Sequence, residues 1–287
     1  MTTPRVSVIV PVWNRPDDLR RCLASLAEQT LPRGAYEVIV VDNGSSDSTP
    51  DVARAAAVIL LEEPQPGSYA ARNRGIAAAR GEWLAFIDSD CRADRDWLRA
   101  ALEAGRANPH AGVIAGRVEL EADGAGLCDA YERLFAFNQE KLAKQGRAVT
   151  ANWLSPAALI RELGGFRADL KSGGDVDLAK RMAAAGYPVA YAPQMLVFHP
   201  ARATLADLTG KARRVVGGQM VSQGRTRNPL YWTNRLARVT AYRTRDVWRT
   251  PQPVATKLGL TGLLALLFVA SAGEAVRISA GGTARRA

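Results

Sequence analysis

Residues 83–90 read Trp-Leu-Ala-Phe-Ile-Asp-Ser-Asp, an apolar run that ends in two aspartates separated by a serine. A short apolar run bounded by polar residues is typical of a buried strand. Two carboxylates this close repel each other unless a cation or solvent offsets their charge. A solvated surface turn is one explanation. Because Asp88 and Asp90 directly follow a buried strand, we favour a clamp for a hard divalent cation and for the diphosphate that it carries.

Two earlier apolar runs end in the same way. Residues 6–10 precede Pro-Val-Trp-Asn at 11–14, and residues 38–41 precede Asp42. Helical patterns lie between the runs, and this alternation predicts a mostly parallel central sheet flanked by helices. Open α/β sheets bind ligands at the carboxyl ends of their strands, so we expect these polar residues to converge on one crevice.

The pattern beyond residue 95 alternates between helical and extended segments. It predicts helices at 96–107, 127–144 and 175–185, a strand at 111–120, a strand that enters a short helix at 152–160, and short strands at 189–191 and 195–199. The aromatic residues Tyr131, Phe135 and Phe137 lie on the second of these helices. Their spacing is more typical of core packing than of contacts with a substrate.

Residues 67–75, Gly-Ser-Tyr-Ala-Ala-Arg-Asn-Arg-Gly, form a segment in which Arg72 and Arg74 can meet a diphosphate. The segment is not a Walker loop, because it lacks Gly-Lys-Ser/Thr. No Gly-x-Gly-x-x-Gly fingerprint follows the first strand either. Asp42 opens a Gly-Ser-Ser turn, where it either supports a helix cap or accepts hydrogen bonds from a base or a ribose.

A carboxylate and a histidine in the second half of the chain are further candidates. Asp175 follows two glycines and either caps a helix or deprotonates an acceptor hydroxyl. His199 is one of two histidines and ends a predicted strand. A lone histidine is more often structural, but beside an acidic pair it becomes a candidate metal ligand.

The charge of the chain changes near residue 200. Residues 1–199 hold 23 Lys and Arg against 25 Asp and Glu, whereas residues 200–287 hold 15 against 3. We therefore predict a catalytic domain at 1–204 and a basic, helical extension at 205–287. Such an extension binds phosphates in lipid headgroups or nucleic acid, or it only favours solubility.

An uncharged segment of 16 residues, 258–273, lies within this extension. It is slightly shorter than the ~17–25 residues that span a bilayer, although Lys257 and Arg277 can lengthen it by snorkelling. Upstream, arginines alternate with tyrosines and tryptophans, which suits an anionic membrane interface better than nucleic acid. We expect the extension to span the membrane or to lie on its surface. A helix buried in a soluble protein is the alternative.

The remaining composition favours a cytosolic catalytic domain. The three cysteines, Cys22, Cys91 and Cys128, show neither metal-ligand spacing nor a disulfide framework, which indicates a reducing compartment. The N-terminal residues enter a strand almost at once and lack the apolar core of a signal peptide. We therefore place the catalytic domain at the cytoplasmic face of the cell membrane.

Taken in order, the motifs resemble those of the family 2 glycosyltransferases, which have the GT-A fold. The resemblance runs from residue 6 to about residue 202. Its motifs are VSVIVPVWNR at 6–15, VIVVDNGSSD at 38–47, AARNRG at 70–75, FIDSD at 86–90, GGF at 164–166, GDVDL at 174–178 and VFHP at 197–200.

The resemblance implies an enzyme that transfers a sugar, with inversion, from a nucleoside diphosphate sugar to an acceptor hydroxyl. The acceptor would belong to a bacterial cell-surface polysaccharide or a lipid-linked glycan. The expected nucleotide-sugar residues are Pro11, Val12, Asn14, Asp42, Arg72, Asn73 and Asp88. Asp88 and Asp90, with His199 as a further candidate, would hold Mg²⁺ or Mn²⁺. Asp175 matches the general base.

The sequence departs from the family pattern in two ways. The family usually has Glu directly before the base, and here that place is Gly174. Asp177 is therefore a rival for the role of base. The Gln-x-x-Arg-Trp signature of processive synthases is missing, which favours the addition of one sugar per encounter.

Two other functions compete with this one. A nucleotidylyltransferase can share a similar fold, but it normally carries a Gly-rich, basic loop where this chain has Pro-Val-Trp-Asn-Arg-Pro. A non-catalytic sugar-nucleotide-binding or scaffold protein at the membrane is the other. The carboxylates Asp88, Asp90 and Asp175 oppose it, whereas the missing Glu favours it.

Overall fold

The computed structural model describes residues 3–121, 124, 126–222 and 228–283. The chain divides into two compact units, each with an apolar core. The first unit comprises Met1–Glu121, Phe137–Asp169 and Gly174–Pro200. The second comprises Ala122–Ala136, Leu170–Gly173 and Ala201–Ala287.

One eight-stranded sheet forms the centre of the first unit. Its strands are β1 (Val6–Val12), β2 (Tyr36–Asp42), β3 (Ile59–Glu62), β4 (Trp83–Ile87), β5 (Arg92–Ala93), β6 (Val113–Glu121), β7 (Asn152–Pro156) and β8 (Val189–Pro200). Their spatial order is β3-β2-β1-β4-β7-β6-β8-β5. Strands β3, β2, β1 and β4 are parallel, as are β6 and β8, whereas β7 and β5 pair antiparallel with their neighbours. The predicted mostly parallel α/β sheet is confirmed.

Seven α-helices and one 3₁₀ helix (Arg33–Ala35) of the first unit accompany the sheet within the described residues. The α-helices are α1 (Pro16–Ala27), α2 (Thr49–Arg54), α3 (Ser68–Ala78), α4 (Trp97–Ala107), α6 (Gln139–Ala143), α7 (Ala157–Glu162) and α8 (Gly174–Ala184). The apolar spacing of α1 has the predicted effect, because Leu19, Leu23 and Leu26 are all buried.

Parallel pairing brings the carboxyl ends of three strands to one edge. Val12 lies opposite Asp42 in the register of β1 and β2. In the register of β1 and β4, Ile9 lies opposite Phe86, so that Asp88 follows at the same edge. The sheet therefore positions Asp42 at the end of β2 and the aspartates that follow β4.

Strand β8 corrects the prediction of two short strands at 189–191 and 195–199. It is continuous, but its register with β6 shifts between Gly116, which pairs with Ala192, and Arg117, which pairs with Leu196. The amide of Asn152 occupies the gap and donates to the carbonyls of Arg117 (2.8 Å) and Met195 (2.7 Å). These bonds compensate for the ladder contacts that the bulge removes.

The second unit is built from four helices among the described residues. They are α5 (Leu127–Phe135), α9 (Leu205–Ser222), α10 (Pro229–Trp248) and α11 (Val254–Ser279). Tyr131 of α5 packs in one apolar cluster with Leu208, Val247 and Leu260. The described residues of 126–136 and of 170–173 therefore belong to the same unit as the C-terminal helices, whereas we predicted a single boundary between 204 and 205.

The predicted helix at 127–144 is interrupted. Ala136 is extended, with φ of −93° and ψ of 150°, and Phe137 has a left-handed φ of 46°. The helix then restarts as α6, where the Asn138 side chain accepts the Lys141 N–H (2.9 Å) as an N-terminal cap. Phe137 thus leaves the face shared by Tyr131 and Phe135.

Candidate active site

Asp42 ends β2 with one carboxylate oxygen satisfied and one not. The side chain is 4% exposed, and Oδ2 accepts the Ser45 backbone N–H at 3.1 Å. Oδ1 is buried and has no hydrogen-bond partner within the described part of the chain. Leaving such an atom unpaired costs about 1–3 kcal/mol. The predicted role of Asp42 fits this geometry, since a base N–H or a ribose hydroxyl would supply the missing donor.

Two asparagines shape the loops beside Asp42. Asn14 has a left-handed φ of 49°, and its Oδ1 accepts the Ser46 backbone N–H at 2.8 Å. The side chain of Asn43, which the sequence analysis did not single out, accepts the Gly67 N–H at 2.7 Å. These bonds tie the loops after β1, β2 and β3 together. Asn14 therefore has a structural role whether or not it also meets a nucleotide.

Arg72 and Asp88 form an ion pair across α3 and β4. Arg72 Nη2 donates to Asp88 Oδ1 at 2.5 Å, and the Arg72 side chain is 5% exposed. The guanidinium also lies 5.6 Å from the centroid of the Tyr69 ring. Arg72 Nε is buried without a partner among the described atoms. The structure thus unites two predicted site residues, whereas the predicted Arg74 is exposed.

Asp90, in the turn after β4, and His199, in β8, come together. Asp90 Oδ1 lies 3.6 Å from His199 Nε2. His199 is buried, and its Nδ1 lies 2.7 Å from the Pro200 carbonyl oxygen. Because a carbonyl only accepts, Nδ1 carries a proton, and Nε2 is the ring nitrogen that faces Asp90. A backbone carbonyl behind a metal-binding imidazole is a common arrangement in metalloproteins. The chemistry of these donors fits a divalent cation.

Cys91 lies in the same cluster but is a poor ligand. One donor atom each from Asp90, Cys91 and His199 lie within 4.8 Å of one another. Burial, together with Asp90 and Asp88, raises the pKa of the Cys91 thiol well above its ordinary value. Thiolates are soft ligands, whereas Mg²⁺ and Mn²⁺ prefer oxygen donors. The ligand set that the structure supports is Asp90 and His199, and the predicted ligation by Asp88 competes with its ion pair to Arg72.

Asp175 lies in the first turn of α8 and is half-buried. Its Oδ1 accepts the Val176 backbone N–H at 2.8 Å and faces the Tyr69 hydroxyl at 3.4 Å. Burial raises the pKa of the Asp175 carboxyl, Asp88 acts in the same direction, and Val176 N–H and Arg72 oppose them. A raised pKa makes this carboxylate a stronger proton acceptor once it is ionised.

Two of the predicted residues are engaged in structural contacts. Asn73 donates to the Phe166 carbonyl (2.7 Å) and accepts the Phe166 N–H (2.9 Å), which holds the turn at 164–166. Asp177, the rival base, accepts from Arg181 Nε at 2.9 Å. Arg181 in turn donates to the carbonyl of Gly165 (2.6 Å). The side chain of Asp177 thus supports the same turn through Arg181. Pro11 and Val12 are buried in β1.

Two residues that contact candidate site residues were missed from the sequence. Tyr69 lies inside the segment 67–75 but was not singled out, although a tyrosine two residues after its first glycine was a visible signal. Phe137 lies 4.4 Å from His199 between ring centroids. We assigned Phe137 to a helix face, and nothing in the helical spacing indicates this contact.

Comparison with known proteins identifies the chain. Residues 7–162 match the family model described as Glycosyl transferase family 2. The chain belongs to this family. A curated relative, the glycosyltransferase AglE of Haloferax volcanii, is 38% identical over 229 residues, which cover 76% of this chain and 74% of AglE. The family 2 resemblance stated from the motifs is therefore confirmed.

A second relative and one solved structure extend the comparison. The pre-mycofactocin glycosyltransferase of Mycobacterium tuberculosis is 34% identical over 216 residues, which cover 70% of this chain but only 44% of that protein. The mannosyltransferase PcManGT from Pyrobaculum calidifontis, in complex with GDP-Man and Mn²⁺, aligns with 98% of this chain and 77% of its own. The TM-score is 0.61 at 22% identity. This likeness concerns the fold and supports the GT-A assignment.

Proposed function

We propose that the protein is an inverting, non-processive, metal-dependent glycosyltransferase that uses a nucleoside diphosphate sugar. The observation that carries the proposal is the meeting of Asp90 and His199 (3.6 Å) at the sheet edge that also presents the unpaired oxygen of Asp42. The pair of Asp90 and His199 suits a cation with a diphosphate, and Asp42 suits a nucleoside. Membership of the family supplies the reaction class.

The reaction assigns each group a task. The acceptor oxygen attacks the anomeric carbon in line with the bond to the diphosphate, so that one carbon–oxygen bond forms as the other breaks. Asp175 accepts the acceptor's proton. Asp90 and His199 would hold a Mg²⁺ or Mn²⁺ ion, which would offset the negative charge that develops on the leaving diphosphate. Arg72 adds a positive charge beside Asp88. Attack from the opposite face inverts the anomeric configuration.

The nature of the cation follows from its ligands. Mg²⁺ prefers oxygen ligands, whereas an imidazole nitrogen is better tolerated by transition metals such as Mn²⁺. The PcManGT complex contains GDP-Man and Mn²⁺, which supports the same choice. We therefore expect Mn²⁺ to support turnover at least as well as Mg²⁺.

A donor-binding experiment tests the proposal. Nucleoside diphosphates are added with Mn²⁺ or Mg²⁺, and the thermal shift is recorded for the wild type, Asp90→Asn and Asp17→Asn. Asp17 is an exposed control carboxylate on α1, with a side-chain exposure of 78%. We expect a metal-dependent shift in the wild type and the control but not in Asp90→Asn. Full sugar transfer in excess EDTA would reject the metal dependence.

The second unit supports a location at the membrane. Helix α11 is 26 residues long, about 39 Å, which exceeds the ~30 Å of a bilayer core. By length and composition it is a candidate membrane span. Its exposed residues are all apolar, whereas its one acid, Glu274, is buried in an ion pair with Arg277. The exposed residues are Val254, Ala255, Leu258, Gly262, Ala265, Leu266, Val269, Gly273 and Val276. We name this set the α11 stripe.

The stripe favours a lipid environment over water. Exposed helix faces in soluble proteins normally carry charges, and a continuous apolar face of this length indicates contact with lipid or protein. The neighbouring helix α10 exposes Arg235, Arg238 and Arg245, which suit anionic headgroups. We propose that the second unit binds the cytoplasmic face of the cell membrane, where a lipid-linked acceptor for surface-glycan synthesis would be located.

Fractionation of cells tests this location. Val269 is 64% exposed on the stripe, and the Lys144 side chain is 74% exposed on α6 of the first unit. We expect Val269→Glu to reduce the membrane fraction and the control Lys144→Glu to leave it unchanged. Release of the wild type by a high-salt wash would indicate surface binding and exclude a span. A wild type that is soluble without any wash would reject the membrane proposal.

A further inference from the structure

The place directly before the proposed base is filled by a side chain from another helix. Gly174 begins α8, and a Cβ built on it would lie 2.8 Å from Cε2 and 2.9 Å from Cδ2 and Cζ of Tyr69. Carbon atoms do not approach this closely without displacement. While Tyr69 keeps its position, no residue with a side chain fits at Gly174, including the Glu that the family usually has there.

The Tyr69 ring is held too firmly to move aside cheaply. Tyr69 is 6% exposed and stacks on Phe166 with a centroid distance of 5.6 Å and an interplanar angle of 19°. Phe166 also makes an edge contact with Phe86 at 5.4 Å, and its backbone is bound on both sides by the Asn73 amide. Aromatic pairs of this kind contribute about 0.5–1.5 kcal/mol each beyond their buried area.

The buried ring ends at the carboxylate of the proposed base. The Tyr69 hydroxyl is 3.4 Å from Asp175 Oδ1, the same oxygen that accepts the Val176 N–H at 2.8 Å. A phenol donates one hydrogen, and an ionised carboxylate only accepts. Tyr69 is therefore the donor, and Oδ1 is held from two directions. This fixes the rotation of the carboxylate relative to α8.

We propose that Tyr69 is the positioning residue for Asp175 and that Gly174 provides the space which this role requires. The pair replaces the acidic residue that precedes the base in the usual family pattern. Tyr69 does not touch the reacting atoms. It orients the carboxylate so that the acceptor's proton is transferred along a productive line, and misplacement of such a group lowers the rate steeply. The inference rests on the proposed role of Asp175.

The first test removes only the phenol oxygen. Tyr69→Phe keeps the ring and its stacking, so the fold and the melting temperature should change little. We expect kcat for sugar transfer to fall about 10-fold or more while the donor Kd measured with a nucleoside diphosphate and Mn²⁺ stays within about twofold. The control is Tyr187→Phe, at a tyrosine that is 40% exposed. Unchanged kcat in Tyr69→Phe would overturn the proposal.

The acidic limb of the pH profile of kcat/KM distinguishes positioning from a purely structural role of Tyr69. A purely structural role would leave this limb in place. A donor to the ionised carboxylate favours that form, so its loss raises the pKa of Asp175. Since the base must be ionised, the limb of kcat/KM should move to higher pH in Tyr69→Phe. The other charges that act on Asp175 are Arg72 and Asp88, and both remain in this variant. A limb that stays in place would contradict positioning through this hydrogen bond.

The second test uses the steric relation between the two residues. Gly174→Ala should lower kcat strongly, because its Cβ displaces the Tyr69 ring. In a Tyr69→Ala background the ring is absent, so the same substitution should cost less than a third of that loss. Additive losses in the double variant would show that the two positions act independently.

Asp175→Asn distinguishes a failure of the proposed base from a failure of the proposed role of Tyr69. An active Asp175→Asn enzyme rejects the proposed base, whereas an inactive one with normal Tyr69→Phe activity rejects only the role of Tyr69.

Discussion

The two units bury carboxylates in opposite ways. In the second unit Glu132 is fully buried, and Arg202 (2.8 Å) and Lys211 (3.2 Å) bind its two oxygens. In the first unit Asp42 is almost as buried, but one of its oxygens has no partner among the described residues. A buried charge is tolerated when it is paired and is costly when it is not. A buried carboxylate whose two oxygens are both paired therefore indicates a structural role. A buried carboxylate with one unpaired oxygen indicates a ligand-binding site.

The remaining site carboxylates lie between these extremes. Asp88 has one cationic partner and a side chain that is 33% exposed, and Asp90 faces a histidine with a side chain that is 26% exposed. Both keep access to solvent and to a ligand. If the comparison holds, substitutions in the first unit should change activity more than stability, and substitutions at Glu132 should do the reverse.

The largest expected effect is on the chemical step. Asp175→Asn keeps the size of the side chain and removes its capacity to accept a proton. We expect kcat to fall by a factor of roughly 10²–10⁴, with a donor Kd close to that of the wild type. Single-turnover transfer and equilibrium binding measure the two quantities. Should Asp177→Asn be inactive and Asp175→Asn active, the base would lie two residues further along α8.

The next effect is on stability, in the other unit. Glu132→Gln leaves Arg202 and Lys211 without their counter-charge in a buried position. We expect a loss of about 3–5 kcal/mol in the free energy of unfolding, measured by urea denaturation. Asp90→Asn, made as the comparison in the first unit, should lose less than about 1 kcal/mol while turnover stops. Equal losses of stability in the two variants would show that the carboxylates of Glu132 and Asp90 have the same structural importance, each in its own unit.

This distinction could be predicted from the sequence only in part. Strands that end in Asp42 and Asp88 follow from apolar runs and from the parallel topology, which brings their ends to one edge. The partners of those aspartates depend on contacts that no local pattern records. Tyr69 and Asp175, for example, are 106 residues apart in the chain. Their meeting is a property of the folded sheet.

The C-terminal half shows a second limit. Charge and hydropathy correctly placed a long apolar helix near residues 258–273, now α11. Periodicity did not reveal the break at Phe137, because a single left-handed residue leaves the apolar spacing on both sides intact. It also did not reveal the bulge in β8, where Asn152 compensates for the shifted register from another strand.

A smaller effect is expected on donor binding. Asp42→Asn replaces one carboxylate oxygen by an NH₂ group, which cannot accept the ligand's hydrogen. Hydrogen bonds to charged groups contribute about 1.5–3 kcal/mol, so Kd for the nucleoside diphosphate should rise roughly 10- to 100-fold. Calorimetric titration in the presence of Mn²⁺ measures it. The apo variant should be about as stable as the wild type, because an unpaired amide N–H takes the place of the unpaired acceptor. A destabilised variant with unchanged Kd would assign Asp42 to the fold and not to the ligand.

The smallest effect concerns the acid stability of the second unit. Burial alone would raise the pKa of the Glu132 carboxyl, but Lys211 and Arg202 outweigh it and hold that pKa below the ordinary value of 4.5. The folded state therefore binds its proton at lower pH than the unfolded state does. The resulting stability is fully present above pH 4.5 and is lost as the pH falls through the lowered value. The gap between the melting temperatures of the wild type and Glu132→Gln, recorded from pH 7 to pH 3, should therefore narrow toward the acidic end. A difference in melting temperature that stays constant with pH would show that Glu132 stabilises the unit by packing and hydrogen bonding. Protonation removes the contribution of the carboxylate's charge, but it leaves the packing in place. In that case complete charge pairing would no longer separate this carboxylate from those of the active site.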